Sequence, residues 1–203
     1  MFDYDVFLAG AVTIETQQIA RGLRFRDAAV LHALIDQYQH RLVRYLIYLL
    51  GRRDEVDDLV QETWLRVLEH GSSYDGRSRF EPWFFAVARN LTLDHLRKRR
   101  NISLDSNDDP ESGPAMQPPV SNAPSPFALA ARTEDAQRLA QSIQTLEPIY
   151  REALVLRFQE ELSLQEIATV VGAPITTVSS RIQRGLATLR AQFSRQMGEQ
   201  HES

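Results

Sequence analysis

The side chains best placed to do chemistry lie in and just after the stretch Leu162 to Arg184, LSLQEIATVVGAPITTVSSRIQR. Thr177, Ser180, Arg181, Arg184 and Thr188 recur there at helical spacing. Hydroxyls and guanidinium groups along one helix face suit phosphate oxygens and the polar edges of base pairs in a major groove. That chemistry is recognition rather than bond making. The elements that must present it are legible in the same stretch. Ser163 and Glu166 have the spacing of a capping box, and Leu162 and Ile167 flank it as a hydrophobic staple. Gly172 can end the first helix in a left-handed conformation. Pro174 suits the entry to a second helix. Val178, Ile182, Leu186 and Leu189 then form an apolar stripe. A plain helical hairpin has the same local signals, so this stretch alone leaves a DNA-binding helix-turn-helix and a structural hairpin both open.

Two earlier segments carry chemistry of other kinds. In Asp54 to Glu69, DEVDDLVQETWLRVLE, the residues Val56, Leu59, Val60, Thr63, Trp64, Val67 and Leu68 form a continuous helical face suited to a core. Asp58, Gln61, Glu62, Leu65 and Arg66 form the opposite face. Such a face is ordinarily just solvated, but a leucine among acids suits a docking surface. In Tyr74 to Arg100, five aromatics (Tyr74, Phe80, Trp83, Phe84, Phe85) precede the basic run Arg97-Lys98-Arg99-Arg100. Rings for stacking beside cations for phosphates are what single-stranded nucleic acid requires. Phe84, Val87, Ala88 and Leu91 read as a buried stripe, while Asn90, Thr92, Asp94 and His95 are polar groups that could reach base edges. The basic run suits the negative end of a helix dipole.

Composition removes several alternatives. The chain has no cysteine, which excludes disulfides, thiolate metal sites and a cysteine nucleophile. The histidines are scattered and the glycines form no phosphate-cradling loop, so neither a metal site, a cofactor nor a catalytic centre is expected. The N-terminus lacks the basic start of a signal peptide, and the run Tyr45 to Leu50 is too short to cross a bilayer. The expectation is a cytoplasmic protein without membrane insertion. The net charge of −4 is unevenly spread: Asp54 to Glu69 holds six acids, and Arg77 to Arg100 holds seven basic residues. Such blocks suit partners of both signs.

The elements fall into two groups. Six of the nine prolines lie in Asn101 to Pro126 among Ser, Asn, Asp and Gly, which predicts a flexible acidic linker. Apolar residues at three- and four-residue intervals on both sides predict helices, and no strand pairs stand out. The predicted fold is all-α. A sequence extension or leading helix spans 1–27, with Ile14 to Leu23 as the helical candidate. A first helical domain spans 28–100, the linker 101–132, a helix-turn-helix domain 133–195 and a tail 196–203. A linker of about 30 residues averages roughly 30 Å end to end and reaches roughly 100 Å at full stretch. Two DNA sites more than one turn, about 34 Å, apart are then within reach.

The order of these pieces resembles the sigma-70 family of RNA polymerase sigma factors, in the small extracytoplasmic-function (ECF) form that has only the second and fourth sigma domains. The resemblance rests on DEVDDLVQETWLRVLE, RFEPWFFAVARNLTLDHLRKRR and LEPIYREALVLRFQEELSLQEIATVVGAPITTVSSRIQRGLATLR. It covers about Ala28 to Arg100 and Glu134 to Phe193. It implies that Asp58, Gln61, Glu62 and Leu65 dock on the clamp helices of the largest polymerase subunit, with the polymerase flap as a further contact. It assigns Trp83, Arg89, Asn90, Asp94, His95, Arg97, Lys98, Arg99 and Arg100 to the −10 promoter element, with Asn90 at a flipped base. It assigns Thr176, Thr177, Ser179, Ser180, Arg181 and Arg184 to the −35 element. The linker would thread toward the RNA channel as a nucleic-acid mimic. Promoter DNA, core polymerase and an anti-sigma factor are the implied partners. Ser179 departs from the family, in which many relatives carry a basic residue there, and the first 25 or so residues match nothing strongly. The competing functions are a helix-turn-helix regulator that acts without polymerase and an enzyme or scaffold on single-stranded nucleic acid.

Overall fold

The computed structural model describes residues 15–51, 53–105 and 139–201. Among these it is helical, with no strand. Helix α1 runs Thr16–Phe25, α2 Ala28–Leu50, α3 Val56–His70 and α4 Phe80–Asp105, with a 3₁₀ turn at Gly71–Ser73 between α3 and α4. After a helical stretch over 139–144 come α5 (Pro148–Phe158), α6 (Leu164–Val171) and α7 (Ile175–His201). The expected linker lies almost wholly outside the described residues. Its first part differs from expectation, because α4 continues past Arg100 to Asp105. No proline or glycine occurs before Pro110 to interrupt the backbone ladder.

The first unit is built on α2, α3 and α4. Apolar residues at three- and four-residue spacing on α2 place Leu34, Leu42 and Leu46 fully inside. Asp27 starts that helix by accepting a hydrogen bond from Ala29 N–H, and Gly51 ends it at φ 72°. Phe84 sits at the centre of the unit. Its ring lies 5.1–5.5 Å from those of Trp64, Tyr38, Phe85 and Phe80. The stripe expected on α3 is buried except for Leu68, which is half-buried.

Helix α1 packs on this unit through small residues. A Cβ at Gly22 would lie 2.6 Å from Val30 Cβ, and one at Gly71 would lie 2.9 Å from Leu23 Cβ. Gln17 Nε2 also donates to Gly76 O at 3.2 Å, tying α1 to the loop before α4. Gly22→Ala should therefore force α1 and α2 apart and cost about 1–3 kcal/mol, more than the better helix propensity of alanine returns. A denaturant midpoint equal to or above that of the native chain would disprove this contact.

The second unit folds around Leu154, Leu156, Leu162, Ile167 and Val178, each at most 3 % exposed. Glu161 adopts a left-handed conformation, φ 55°. This sharp turn lets both neighbours, Glu160 and Leu162, point inward. The two units are in contact: α2 lies against α5, and α4 lies against α6.

Candidate nucleic-acid interface

The turn around Gly172 forms as its local chemistry dictates. Ser163 Oγ accepts from Glu166 N–H at 3.2 Å, and Glu166 Oε2 accepts from Ser163 N–H at 2.7 Å. Leu162 and Ile167, the staple pair, are fully buried. Gly172 ends α6 at φ 64°, ψ 41°. In α7, Val178, Ile182 and Leu189 face the core, with Leu186 half-buried. Gly185 lets α7 approach α5, since a Cβ there would lie 2.9 Å from Leu154 Cδ1.

The other side of α7 presents polar groups. Thr176 and Arg184 are exposed, and Thr177, Ser179, Ser180 and Arg181 are half-buried. Ser180 Oγ donates to Thr177 O at 2.9 Å and Thr188 Oγ1 to Arg184 O at 3.0 Å. Their protons are engaged within the helix, but the oxygens keep lone pairs for incoming donors. Among the described residues, no acid pairs with Arg181 or Arg184. Two free guanidinium groups on an open helix face suit an anionic ligand.

Helix α4 is divided along its length. Its first half is core: Phe80, Phe84, Phe85 and Ala88 are at most 1 % exposed. Of the five clustered aromatics, only Trp83 keeps appreciable exposure, and its Nε1 donates to Ser73 Oγ at 3.2 Å. Phe84 is core, as its stripe predicted, while the expectation of stacking rings is corrected for Tyr74, Phe80 and Phe85, which are core as well. Thr92 is a second correction. It is fully buried, and its hydroxyl donates to Ala88 O at 2.8 Å, so it reads no base. A threonine in a helix can satisfy itself on the carbonyl four residues back, which hides its polarity from any ligand.

The second half of α4 faces outward. Asn90, Asp94, Arg97, Lys98 and Arg99 are exposed. Arg97 pairs with Asp94 at 3.1 Å. Glu55, at the start of α3, holds both His95 Nε2 and Arg99 Nη1 at 2.8 Å. Arg100 is helical in backbone, and its side chain lies outside the described part. A depression of about 260 Å³ opens between α3 and α4, walled by Leu91, His95 and Lys98 on one side and Glu62 and Arg66 on the other. Asn90, assigned by resemblance to a flipped base, does not line it.

On α3, Asp58, Gln61 and Glu62 are exposed and Leu65 is 59 % exposed. Arg66 pairs with both Glu62 and Glu69 at 3.8 Å, but one cation leaves a face that also carries Asp58 net acidic. An open leucine ringed by acids is therefore present as the sequence suggested.

Arg89 alone among the α4 candidates is sequestered. Its Nε donates at 2.8 Å to Glu152 Oε1 of the second unit, which also accepts from Tyr45 Oη at 2.9 Å. Arg41 Nε donates to Glu160 Oε2 at 2.7 Å, and Arg44 Nη2 reaches the other oxygen of Glu160 at 3.4 Å. Burial alone would lower the pKa of Arg41, but the Glu160 carboxylate outweighs it and raises it. Burial pushes the Glu81 carboxyl up, but its own backbone N–H together with Arg79, Arg41 and the Tyr38 hydroxyl holds it below the ordinary range. Sequence reasoning passed over Arg41, Arg44, Glu152 and Glu160. The local sign was weak: Arg41 and Arg44 sit three residues apart on a helix that also carries His32, Asp36, Gln37, Gln39 and His40.

Comparison with known proteins accounts for both units. The family description "Sigma-70 region 2" matches residues 34–102, and "Sigma-70, region 4" matches residues 136–189. The ECF RNA polymerase sigma factor SigW of Bacillus subtilis is 31 % identical over 162 residues, covering 79 % of this chain and 87 % of that one. The RNA polymerase sigma-H factor of Pseudomonas aeruginosa is 29 % identical over 172 residues, covering 84 % and 89 %. The fold is shared with the sigma factor RpoE of Bartonella quintana, solved with the anti-sigma factor NepR, at a TM-score of 0.65, 24 % identity and coverage of 79 % and 94 %. It is shared also with CnrH, solved with the cytosolic domain of CnrY, at a TM-score of 0.63, 23 % identity and coverage of 90 % and 99 %. With both regions matched in order and a relative of this identity along most of its length, the chain belongs to the sigma-70 family of RNA polymerase sigma factors, as an ECF sigma factor that directs the polymerase to promoters.

Proposed function

We propose that three surfaces divide this work. The face of α3 with Asp58, Gln61, Glu62 and Leu65 docks on core polymerase. The outer part of α4, from Asn90 through Arg97, Lys98, Arg99 and Arg100, captures the −10 element, with His95 and Asp94 beside it and Trp83 at its base. The face of α7 with Thr176, Thr177, Ser179, Ser180, Arg181 and Arg184 reads the −35 element. The observation that carries this division is the exposed Leu65 on an acidic helix in the same chain as Arg181 and Arg184, which are unpaired among the described residues. A regulator that acts without polymerase has no use for the former. The units are taken as 28–100 and 133–195, with the leading helix of 1–27 packed on the first, 101–132 as the linker and 196–203 as the tail. The protein performs no catalysis itself and works in the cytoplasm; among the described residues, no helix is long and apolar enough to cross a membrane. An anti-sigma factor is a further partner, by analogy with the folds solved with NepR and CnrY.

The direct test is co-elution of the full chain with core RNA polymerase, followed by transcription from a promoter with two elements. A complex at low salt supports the assignment, and its absence overturns it. Arg184→Ala tests the α7 face. If Arg184 contacts a phosphate, duplex affinity falls about equally on all sequences and the log–log salt slope flattens by about 0.9. If it reads a guanine, the loss is about 1–3 kcal/mol at one base pair. Unchanged affinity and slope would remove it from the interface.

A further inference from the structure

The cations on the outer half of α4 are not equally available. Arg97 meets Asp94 at 3.1 Å, and both His95 and Arg99 meet Glu55 at 2.8 Å. Among the described side chains from Asn90 to Arg99, Lys98 is the one cation without an acidic partner. The two kinds of pairing differ in strength. Arg97 and Asp94 are well exposed neighbours on one helix, so water and salt weaken their attraction. Glu55 comes from outside α4 and stands immediately before α3. Its side chain is only 21 % exposed, and each of its two oxygens holds a different residue of α4. A carboxylate engaged on both oxygens is fixed in place. It meets Arg99 with the kind of charge-assisted bond that a phosphate oxygen would make.

We propose that Glu55 is a built-in competitor for strand phosphates at Arg99 and, when it is protonated, at His95. Glu55 thereby sets how tightly α4 grips a single strand of any sequence. A phosphate that takes Arg99 must displace Glu55. The freed carboxylate then recruits a cation from solution, which cancels the counterion that the phosphate released. Binding is therefore weaker and less dependent on salt than the basic run of α4 alone would make it. Contacts to base edges are not opposed in this way, so they make up a larger share of the total. This inference rests on the assignment of α4 to the −10 strand and adds to that site a residue outside α4.

The test is binding of the full chain to a fluorescent single-stranded DNA of mixed sequence, about 20 nucleotides long, read by anisotropy across a salt series. Glu55→Gln should raise affinity roughly three- to tenfold at low salt and steepen the log–log salt slope by about 0.7 for each cation freed. Asp57→Asn removes the same charge two residues away, at an exposed position with no cationic partner among the described residues. It should change both quantities far less. Equal gains from the two variants mean that net charge alone acts, and overturn the inference. Adding Arg99→Gln to Glu55→Gln should remove most of the gain. No gain in Glu55→Gln, or a full gain that survives loss of Arg99, overturns it as well. One comparison leaves Glu55 in place, should its variant fold poorly. In the intact chain, Arg99→Gln should cost less affinity than Lys98→Gln, because Arg99 is already matched by an acid; an equal or greater loss overturns the inference. If Lys98→Gln leaves affinity unchanged, the assignment of α4 falls and the inference with it. If Lys98→Gln lowers affinity while Glu55→Gln raises nothing, only the inference falls.

Discussion

Phe84→Ala is expected to be the most destabilising single substitution in the first unit, at about 3–5 kcal/mol. Phe84 is fully buried and meets four other rings at centroid separations of 5.1–5.5 Å. Those neighbours come from α2, α3 and α4, so no single helix can shift to fill the cavity. Aromatic contacts of this kind add to plain area burial. The loss is a large share of the total stability of a domain. The effect should appear as a lowered denaturant midpoint with the slope retained. Promoter opening should fail only in proportion to the unfolded fraction, because Phe84 itself touches no ligand surface. A variant with native stability but no promoter opening would mean that the ring acts directly on DNA.

Leu65→Asp is expected to do the reverse, leaving the fold intact and removing polymerase. Leu65 is 59 % exposed, and the opposite face of α3 carries its packing. The substitution should move the melting temperature little. In the proposed docking site the leucine becomes buried, which is worth about 1.5–3 kcal/mol for a fully covered side chain. Placing a carboxylate there adds a desolvation penalty. Affinity for core polymerase should therefore fall at least tenfold, while binding of a −35 duplex by α7 is untouched. Measured by titration of labelled chain with core enzyme, an unchanged affinity would show that another face of α3 docks. Leu65→Met, which keeps an apolar side chain of similar size, should retain most of the binding.

The parts of this protein that could be read from its sequence are those governed by neighbours in the chain. Ser163 and Glu166 are three residues apart and cap one helix turn, so residue types alone were enough. Gly172 and the stripe of α7 follow the same logic. On α4 the residue types misled in two ways. Aromatics beside arginines suggested stacking, but α2 and α3 supply further rings that draw them inward. Thr92 looked like a base reader because its bond to Ala88 O is invisible in composition. The contact between units was beyond reach for a different reason. Arg41 and Glu160 are 119 residues apart, and no local pattern specifies which acid meets which base.

Gly172 has a consequence of its own. At φ 64° it occupies a conformation that an L side chain rarely adopts, yet nothing lies within 4 Å of where its Cβ would stand. The glycine is there for handedness alone, since the surrounding space is empty. A D-alanine, whose mirror-image stereochemistry prefers this region, would keep the turn's handedness and would narrow the unfolded chain's freedom. In a semisynthetic second unit, the helix-turn-helix could thus be made firmer by a residue that the ribosome does not ordinarily supply.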